Sequence, residues 1–443
     1  MRLPCGSGAG ALTGASWLAT DRAGVGRMQS KFDVIVLGAG IVGISAALHL
    51  QARGRSVIVV ERTGAAGRET SFGNTGIVQT EAIFPYTFPR GLSEIARAAL
   101  NRDPRAHIRY GALPAIAPWV WRYFLASAPP RKLASAMAMR PLIARARFEH
   151  EALASAAGAQ ALLREGGWIK VFRSARGRED ILAEAEELAR YGIPSRALDR
   201  AALLALEPCL RDVAAGGVHF TDPPTTPDPG ALVQSYAALF EAHGGRLVAG
   251  DASGLGQSGA NWSLATDAGK VSARQAAVAL GPWTGDVCRP LGYDFPIGFK
   301  RGYHMHFSAQ GGVVLNRPVL DAECGYVLTP MTQGIRMTTG AEFARRDDPP
   351  SSAHLDRLEP FARAFFPLAE RRDARPWLGR RPCLPDMLPV IGPAPRHAGL
   401  WFDFGHQHLG LTLGPISGRL LAEMMTGEAP VVDPTPYRAG RFD

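Results

Sequence analysis

The chain has 443 residues, 46% of them apolar and 20% charged, with a net charge of +9. These proportions are those of a globular protein with a sizeable core; they exclude a disordered chain, a collagen-like rod and a small disulfide-stapled scaffold. The basic residues are scattered in doublets such as Arg345-Arg346, Arg371-Arg372 and Arg380-Arg381, not gathered into a stripe, so no nucleic-acid partner is expected.

Residues 1–27 are rich in Gly, Ala, Ser and Thr and make a poor signal peptide. They are expected to be a disordered or mis-assigned extension, with Met28 as the natural start. The clearest element follows. Residues 32–37 form an apolar, β-branched run, expected as a buried strand. A helical pattern spans 41–53 and stops at Gly54, and 56–60 is a second buried strand ending at Glu61. Residues 95–165 are expected to be mostly helical, interrupted by prolines. Strands are expected at 168–172 and 216–221, a helix at 179–191, and a loop at 223–229. Beyond it come a helix at 230–243, strands at 246–248 and 276–280, and strand-like runs at 303–307, 326–329 and 335–338. The chain closes with a strand at 400–404 and a helix at 415–425. The apolar stretch 112–130 holds Pro114, Pro118 and Arg122 and is too short and interrupted to span a membrane. Its Trp119, Trp121, Tyr123 and Phe124 suit either a membrane-interface patch or the protein's own core.

The five cysteines, Cys5, Cys209, Cys288, Cys324 and Cys383, are widely spaced with no C-x-x-C pair. This fits a reducing compartment and no metal site, and each is expected as a small buried hydrophobe.

Gly38, Gly40 and Gly43 form G-x-G-x-x-G between the first strand and its helix, which opens at Ile41 and Val42. The first glycine permits the turn, the second lets backbone approach a pyrophosphate at the helix N-terminus, and the third lets helix and strand pack closely. Glu61, with Arg62 beside it, stands where an acid accepts ribose hydroxyls, which favours an adenine dinucleotide without a 2′-phosphate. Thr70, Ser71, Asn74 and Gly76 lie in a small, polar loop suited to run beneath a pyrophosphate and flavin ring. Gly405, His406, Gly410, Leu411 and Thr412 precede or open the last helix, where a Gly-rich turn and a helix N-terminus suit the flavin C2 carbonyl.

Across about 390 residues the chain resembles the D-amino-acid oxidase superfamily of FAD-dependent amine oxidoreductases, and most nearly bacterial D-amino-acid dehydrogenases. The matching features are residues 34–43, 69–71, Asn74, Gly76, 279–283 with Gly281, 300–303, 377–382, 389–392 and Gly405-His406. The resemblance implies an α/β Rossmann-like FAD-binding domain plus an α+β substrate domain with an antiparallel sheet, both discontinuous in sequence. The first would take 28–95, 228–290 and 380–443, the second 96–227 and 291–379. It implies oxidative deamination of a D-amino acid by hydride transfer from Cα to flavin N5, without an obligatory side-chain base. Arg381, in G-x-R-P, matches the family's carboxylate-binding arginine. Tyr303 and Tyr326 are candidates to cap the carboxylate or wall the pocket. His408 stands where some relatives have a second arginine and is a candidate to hydrogen-bond the amine. No cysteine matches the covalent-attachment position, near Gly379, so FAD is expected to be non-covalent, and no metal is expected. The implied partners are a small-molecule amino acid and a quinone or other respiratory electron acceptor. The implied location is the cytoplasm, with a peripheral contact on the inner face of the cytoplasmic membrane. A hydroxy-D-proline or other cyclic secondary amine, a flavin-carrying electron-transfer subunit and an NAD-dependent dehydrogenase remain alternatives.

Overall fold

Strands buried on both faces read as unbroken apolar runs, and the first sheet is built from such runs. The computed structural model describes residues 30–211 and 213–442; the expected extension at 1–27 lies outside them. The first sheet has eight strands, with a central path of 390–393, 400–404, 269–278, 30–37, 57–61 and 246–249. Strand Ser30–Leu37 pairs in parallel with Val57–Glu61 on one side and Gly269–Val278 on the other. The chain therefore reverses its direction of strand addition at this central strand. At such a switch point the carboxyl ends of the strands leave a crevice for a ligand. Val34, Val36, Val57 and Val59 face one core cluster, while Ile35, Leu37, Ile58 and Val60 face another with Trp262, Phe402 and Phe404.

The helices on the first of these faces are Ile41–Gln51, Pro129–Ala156, Pro229–Ala242 and Gly410–Thr426. Helices Ile41–Gln51 and Gly410–Thr426 cross at small residues. A Cβ added at Gly418 would stand 2.5 Å from the Ala46 nitrogen, and one at Gly414 would stand 2.9 Å from Ile41 Cγ1. The expected helical boundaries move here. Pro141 and Pro118 sit inside helices instead of ending them, and the last helix begins at Gly410, with Pro415 in its interior.

The second sheet has eleven strands and is largely antiparallel. Its organiser is the strand Gly298–Ala309, which pairs with Gly334–Thr339, Ala341–Phe343, Leu368–Arg371 and Trp377–Cys383. Side chains on a strand alternate faces. Tyr303, Met305 and Phe307 enter a core with Tyr326, Leu328 and Met337, roofed by Leu355, Leu358 and Phe365 of helix Ala353–Phe365. Lys300, Gly302 and His304 face the other way, toward the first sheet. Strand Trp377–Cys383 belongs wholly to this sheet, so a domain boundary at residue 380 would cut through it.

Buried histidines tie the helices to the functional face. His150 Nε2 lies 2.7 Å from the Leu411 carbonyl oxygen and its Nδ1 3.3 Å from the Tyr236 hydroxyl. Burial pushes His150 down to about 4, and His354 likewise to about 4, against 6.5 in an unfolded chain. Below 6.5 the unfolded chain takes up protons that the folded protein refuses. Stability is therefore full above about 6.5 and falls as pH drops towards 4, by about 1.4 kcal/mol per pH unit per histidine. Thermal melts from about pH 7 to about pH 5 should show a falling Tm, with a shallower slope in His150→Gln.

Candidate active site

The glycine turn admits no side chain at two of its three glycines. Gly38 has φ +102°, and a Cβ there would stand 2.6 Å from the Ala279 carbonyl oxygen. A Cβ at Gly43 would stand 2.0 Å from the Gly38 oxygen, so Gly43 serves the packing of helix on strand. Helix Ile41–Gln51 presents its N-terminus at this turn, where Ser71 Oγ accepts the Ile41 N–H at 3.1 Å. The Glu61 carboxylate, at the end of the second strand, accepts the N–H groups of Ala39 and Arg62, each at 2.9 Å. The Arg62 guanidinium lies 4.7 Å from the centre of the Trp283 ring.

A cavity of about 1710 Å³ runs from this turn to the second sheet. A pocket for one drug-sized ligand measures roughly 300–1,000 Å³, so the space suits a dinucleotide together with a second, smaller molecule. Gly38, Gly40, Ile41, Val42, Glu61, Arg62, Thr70, Ser71, Asn74, Gly281, Gly405, His406, Gly410 and Leu411 all line it. Gly43, Gly76 and Thr412 do not. Gly76 has φ +73°, and its carbonyl accepts the Thr226 N–H at 2.6 Å. Thr412 Oγ1 accepts the Gln79 N–H at 3.0 Å. Asn74 Oδ1 accepts the Gly76 N–H at 2.9 Å, and its Nδ2 donates to the His408 carbonyl at 3.5 Å. Thr70 Oγ1 donates to the Arg380 carbonyl at 3.4 Å. These contacts tie the loops of residues 70–76 and 405–411 to each other and to the second sheet.

At the far end, Arg381 lies across Gly302, where a Cβ would stand 2.5 Å from Arg381 Nη2. Its guanidinium donates to the Gly340 carbonyl at 3.1 Å and to the Thr339 carbonyl at 3.4 Å. Among the described residues no carboxylate lies within ion-pair distance of it. Burial holds its pKa below the usual arginine value. Lys300 sits directly opposite in the strand pair, donates to the Tyr123 hydroxyl at 2.8 Å, and is pushed down to about 8, chiefly by burial. Burial first, then the positive charges of Arg381 and Lys300, push His408 down to about 3, so its imidazole is neutral. The His408 ring packs 4.9 Å from that of Tyr86, which also lines the cavity.

Two candidates are corrected. Tyr326 does not reach the cavity: it is buried behind the sheet, its hydroxyl donating to the Phe361 carbonyl at 3.2 Å and accepting from Arg173 at 3.3 Å. Tyr303 borders the cavity, but its hydroxyl lies on the opposite face. There it accepts from Arg301 and donates to Glu342, both at 2.8 Å, within a fully buried ion pair. The aromatic patch is also split. Trp119 and Tyr123 pack inward in a small core with Cys383 and Met387, whereas Trp121 is 60% exposed.

Sequence reasoning missed Lys300, Tyr123, Tyr86 and Arg336 as individual site residues. Arg336 is buried, donates to the carbonyls of Phe72 at 3.2 Å and Asn74 at 2.6 Å, and holds His306 Nε2 at 3.0 Å. It thereby fixes the loop at 70–76 from beneath. A period-two reading of residues 298–309 would have grouped Lys300 with His304 and set both apart from Tyr303.

The chain matches the model of the FAD dependent oxidoreductase family over residues 33–424. It belongs to that family. The family's cofactor fits this cavity: the glycine turn and helix N-terminus suit the pyrophosphate, and Glu61 suits the ribose. Among relatives, a protein of Mesorhizobium japonicum named D-amino acid dehydrogenase 2 is 30% identical over 411 residues, covering 90% of this chain and 98% of that one. A Bradyrhizobium diazoefficiens protein named D-amino-acid oxidase is 27% identical over 423 residues, covering 92% and 98%. Among solved structures, glycine oxidase from Geobacillus kaustophilus superposes with a TM-score of 0.73 at 19% identity, covering 93% of this chain and 99% of that one. L-proline dehydrogenase from P. horikoshii gives 0.68 at 16%, covering 94% and 98%. At these identities the structural likeness speaks for the fold alone. Among the described residues no helix is long and apolar enough to cross a membrane.

Replacing Glu61 with Gln should weaken FAD retention roughly 10-fold or more, about 1.4 kcal/mol, while the apoprotein's far-ultraviolet circular dichroism stays that of the parent. Titration of apoprotein with FAD, followed by flavin fluorescence, measures this.

Proposed function

We propose that the protein oxidises the Cα–N bond of a D-amino acid to an imine, which water hydrolyses to a 2-oxo acid and ammonia. The observation that carries this reading is Arg381: a half-buried guanidinium on the cavity wall, braced by two backbone carbonyls and lacking an acid partner among the described residues. A charge withdrawn from water needs a counter-charge, and a planar fork of donors matches a carboxylate. The names of the relatives favour the D-configuration and an amine donor.

Bound FAD supplies the acceptor for the two electrons and the hydrogen leaving Cα. The chain supplies orientation and electrostatics. Arg381 anchors the acid group and so fixes Cα along the cavity axis. The positive charges of Arg381 and Lys300 favour the neutral amine over the ammonium, and only the neutral amine has a free electron pair to drive loss of the Cα hydrogen. His408, neutral beside them, offers its ring to hydrogen-bond that amine. Cys383, the cysteine on the cavity wall, donates its thiol to the Arg381 carbonyl at 3.5 Å, and burial pushes the thiol pKa up, which supports a non-covalently held flavin. Removing one partner of such a buried charge pair costs about 2–5 kcal/mol. Arg381→Met should therefore lower kcat/KM for D-amino acids by roughly 30-fold to 3,000-fold, chiefly through KM. Rates within about twofold of the parent in a variant that still holds FAD would remove this reading.

For the electron acceptor we propose a membrane quinone. The segment 92–126 both lines the cavity and exposes apolar side chains, among them Leu92 at 85%, Leu100, Tyr110 and Trp121. Arg97 and Arg102 lie within it and border the cavity, with Glu94 and Asp103 beside them. Apolar side chains rimmed by arginines suit an anionic bilayer surface. Co-sedimentation with phosphatidylglycerol vesicles should be strong for the parent and lost in a Leu92→Glu/Trp121→Glu double variant. Equal sedimentation of the two would count against this surface.

A further inference from the structure

At its far end the cavity wall sets two cations side by side. Lys300 and Arg381 are directly opposed in the antiparallel pair of strands Gly298–Ala309 and Trp377–Cys383, so both project from the same face of the sheet. Both line the cavity. Arg62, Arg105 and Lys170 on its wall have acid partners in Glu69, Asp103 and Glu184, and Arg68, Arg97 and Arg102 are exposed to solvent. Lys300 and Arg381 have none among the described residues.

Lys300 is held for a purpose other than packing. The Tyr123 hydroxyl gives its hydrogen to the Tyr86 carbonyl at 2.6 Å, so it meets Lys300 as an acceptor. The Tyr123 ring also lies 4.0 Å from the ammonium nitrogen and stacks 5.1 Å from Trp119. An ammonium has three donors. Tyr123 takes one and leaves two for whatever enters the cavity. One α-carboxylate meets the fork of Arg381, and a neutral side chain filling the cavity would cover the half-buried Lys300 without giving it an anion. A buried charge without a counter-charge is costly, and that cost becomes selectivity for the ligand that supplies one.

We propose that Lys300 binds a second acid group, so that the preferred substrates are amino acids carrying a carboxylate besides the α-carboxylate. This rests on the reading of Arg381 given above and adds specificity to it.

The test uses the FAD-loaded full chain. Steady-state rates and anaerobic flavin bleaching are measured with D-glutamate and D-aspartate against their isosteric amides, D-glutamine and D-asparagine. The acids should exceed the amides in kcat/KM by about 10-fold or more. Lys300→Met should cut that acid-to-amide ratio by about 10-fold to 100-fold, mainly through KM for the acids, and Lys300→Arg should restore most of it. As a measurement independent of any variant, glutarate should perturb the parent's flavin spectrum at a Kd about 10-fold below that of its monoamide. Amides that match the acids in the parent, a ratio unmoved in Lys300→Met, or equal binding of glutarate and its monoamide would each overturn the proposal. Flavin bleached by neutral D-amino acids but not by acidic ones would overturn it and leave the role of Arg381 standing. Flavin bleached by no amino acid would overturn both.

Discussion

A guanidinium and an ammonium partly withdrawn from bulk water need compensation, and among the described residues the protein supplies only part of it. Two carbonyls brace Arg381 and a tyrosine hydroxyl braces Lys300, but no acid closes either charge among the described residues. On the proposals above, a ligand supplies the rest. Much of the second sheet arranges itself around this deficit. Gly302 is bare so that the arginine can lie flat across the strand, and the opposite face of the same strand carries a complete ion pair, Arg301 with Glu342, closed by Tyr303. One strand thus presents a satisfied charge inward, Arg301, and one without an acid partner outward, Lys300, separated only by the alternation of its side chains.

The first sheet solves a different problem. Its central strands are apolar on both faces, which leaves their polar chemistry to the carboxyl ends. There the glycine turn, Ser71 and Glu61 take up the backbone donors around the helix start. The two sheets share a core cluster, in which Trp168, Phe172, Val218 and Phe220 of the second sheet join Val34 and Val36 of the first by way of the helices between them, and loop contacts add to it. Asn74 binds one loop to another, and Arg336 reaches from the second sheet to the backbone of Phe72 and Asn74. These directional contacts fix the loops around the cavity more sharply than apolar packing does.

Much of the dinucleotide half was legible in the sequence because it obeys local rules. Three glycines at fixed spacing, two buried strands and a terminal acid all fall within residues 32–61. The substrate half was legible only as type. Arg381 stood out through its G-x-R-P setting, whereas Tyr326 and Tyr303 were chosen because tyrosines suit carboxylates. Their hydroxyls are used elsewhere, since the face of a strand that meets the core depends on which helix covers it. Here that helix is Ala353–Phe365, and nothing within residues 298–309 announces it. Lys300 and Tyr123 meet across a sequence separation of 177 residues, beyond the reach of any local pattern. The prolines misled for a related reason. Pro118, Pro141 and Pro415 are tolerated inside helices because tertiary packing outweighs the hydrogen bond each one forfeits.

The crossing of helices Ile41–Gln51 and Gly410–Thr426 has a consequence for how the protein matures. The first opens at the glycine turn, the second opens at Gly410 on the same cavity, and backbone-close contact through Gly414 and Gly418 locks them together. A nascent chain on the ribosome holds the glycine turn early but lacks this brace until synthesis has passed the second helix. The two halves of the cradle are thus far apart in the chain, and its wall is complete only once residues near both 41 and 418 have been made.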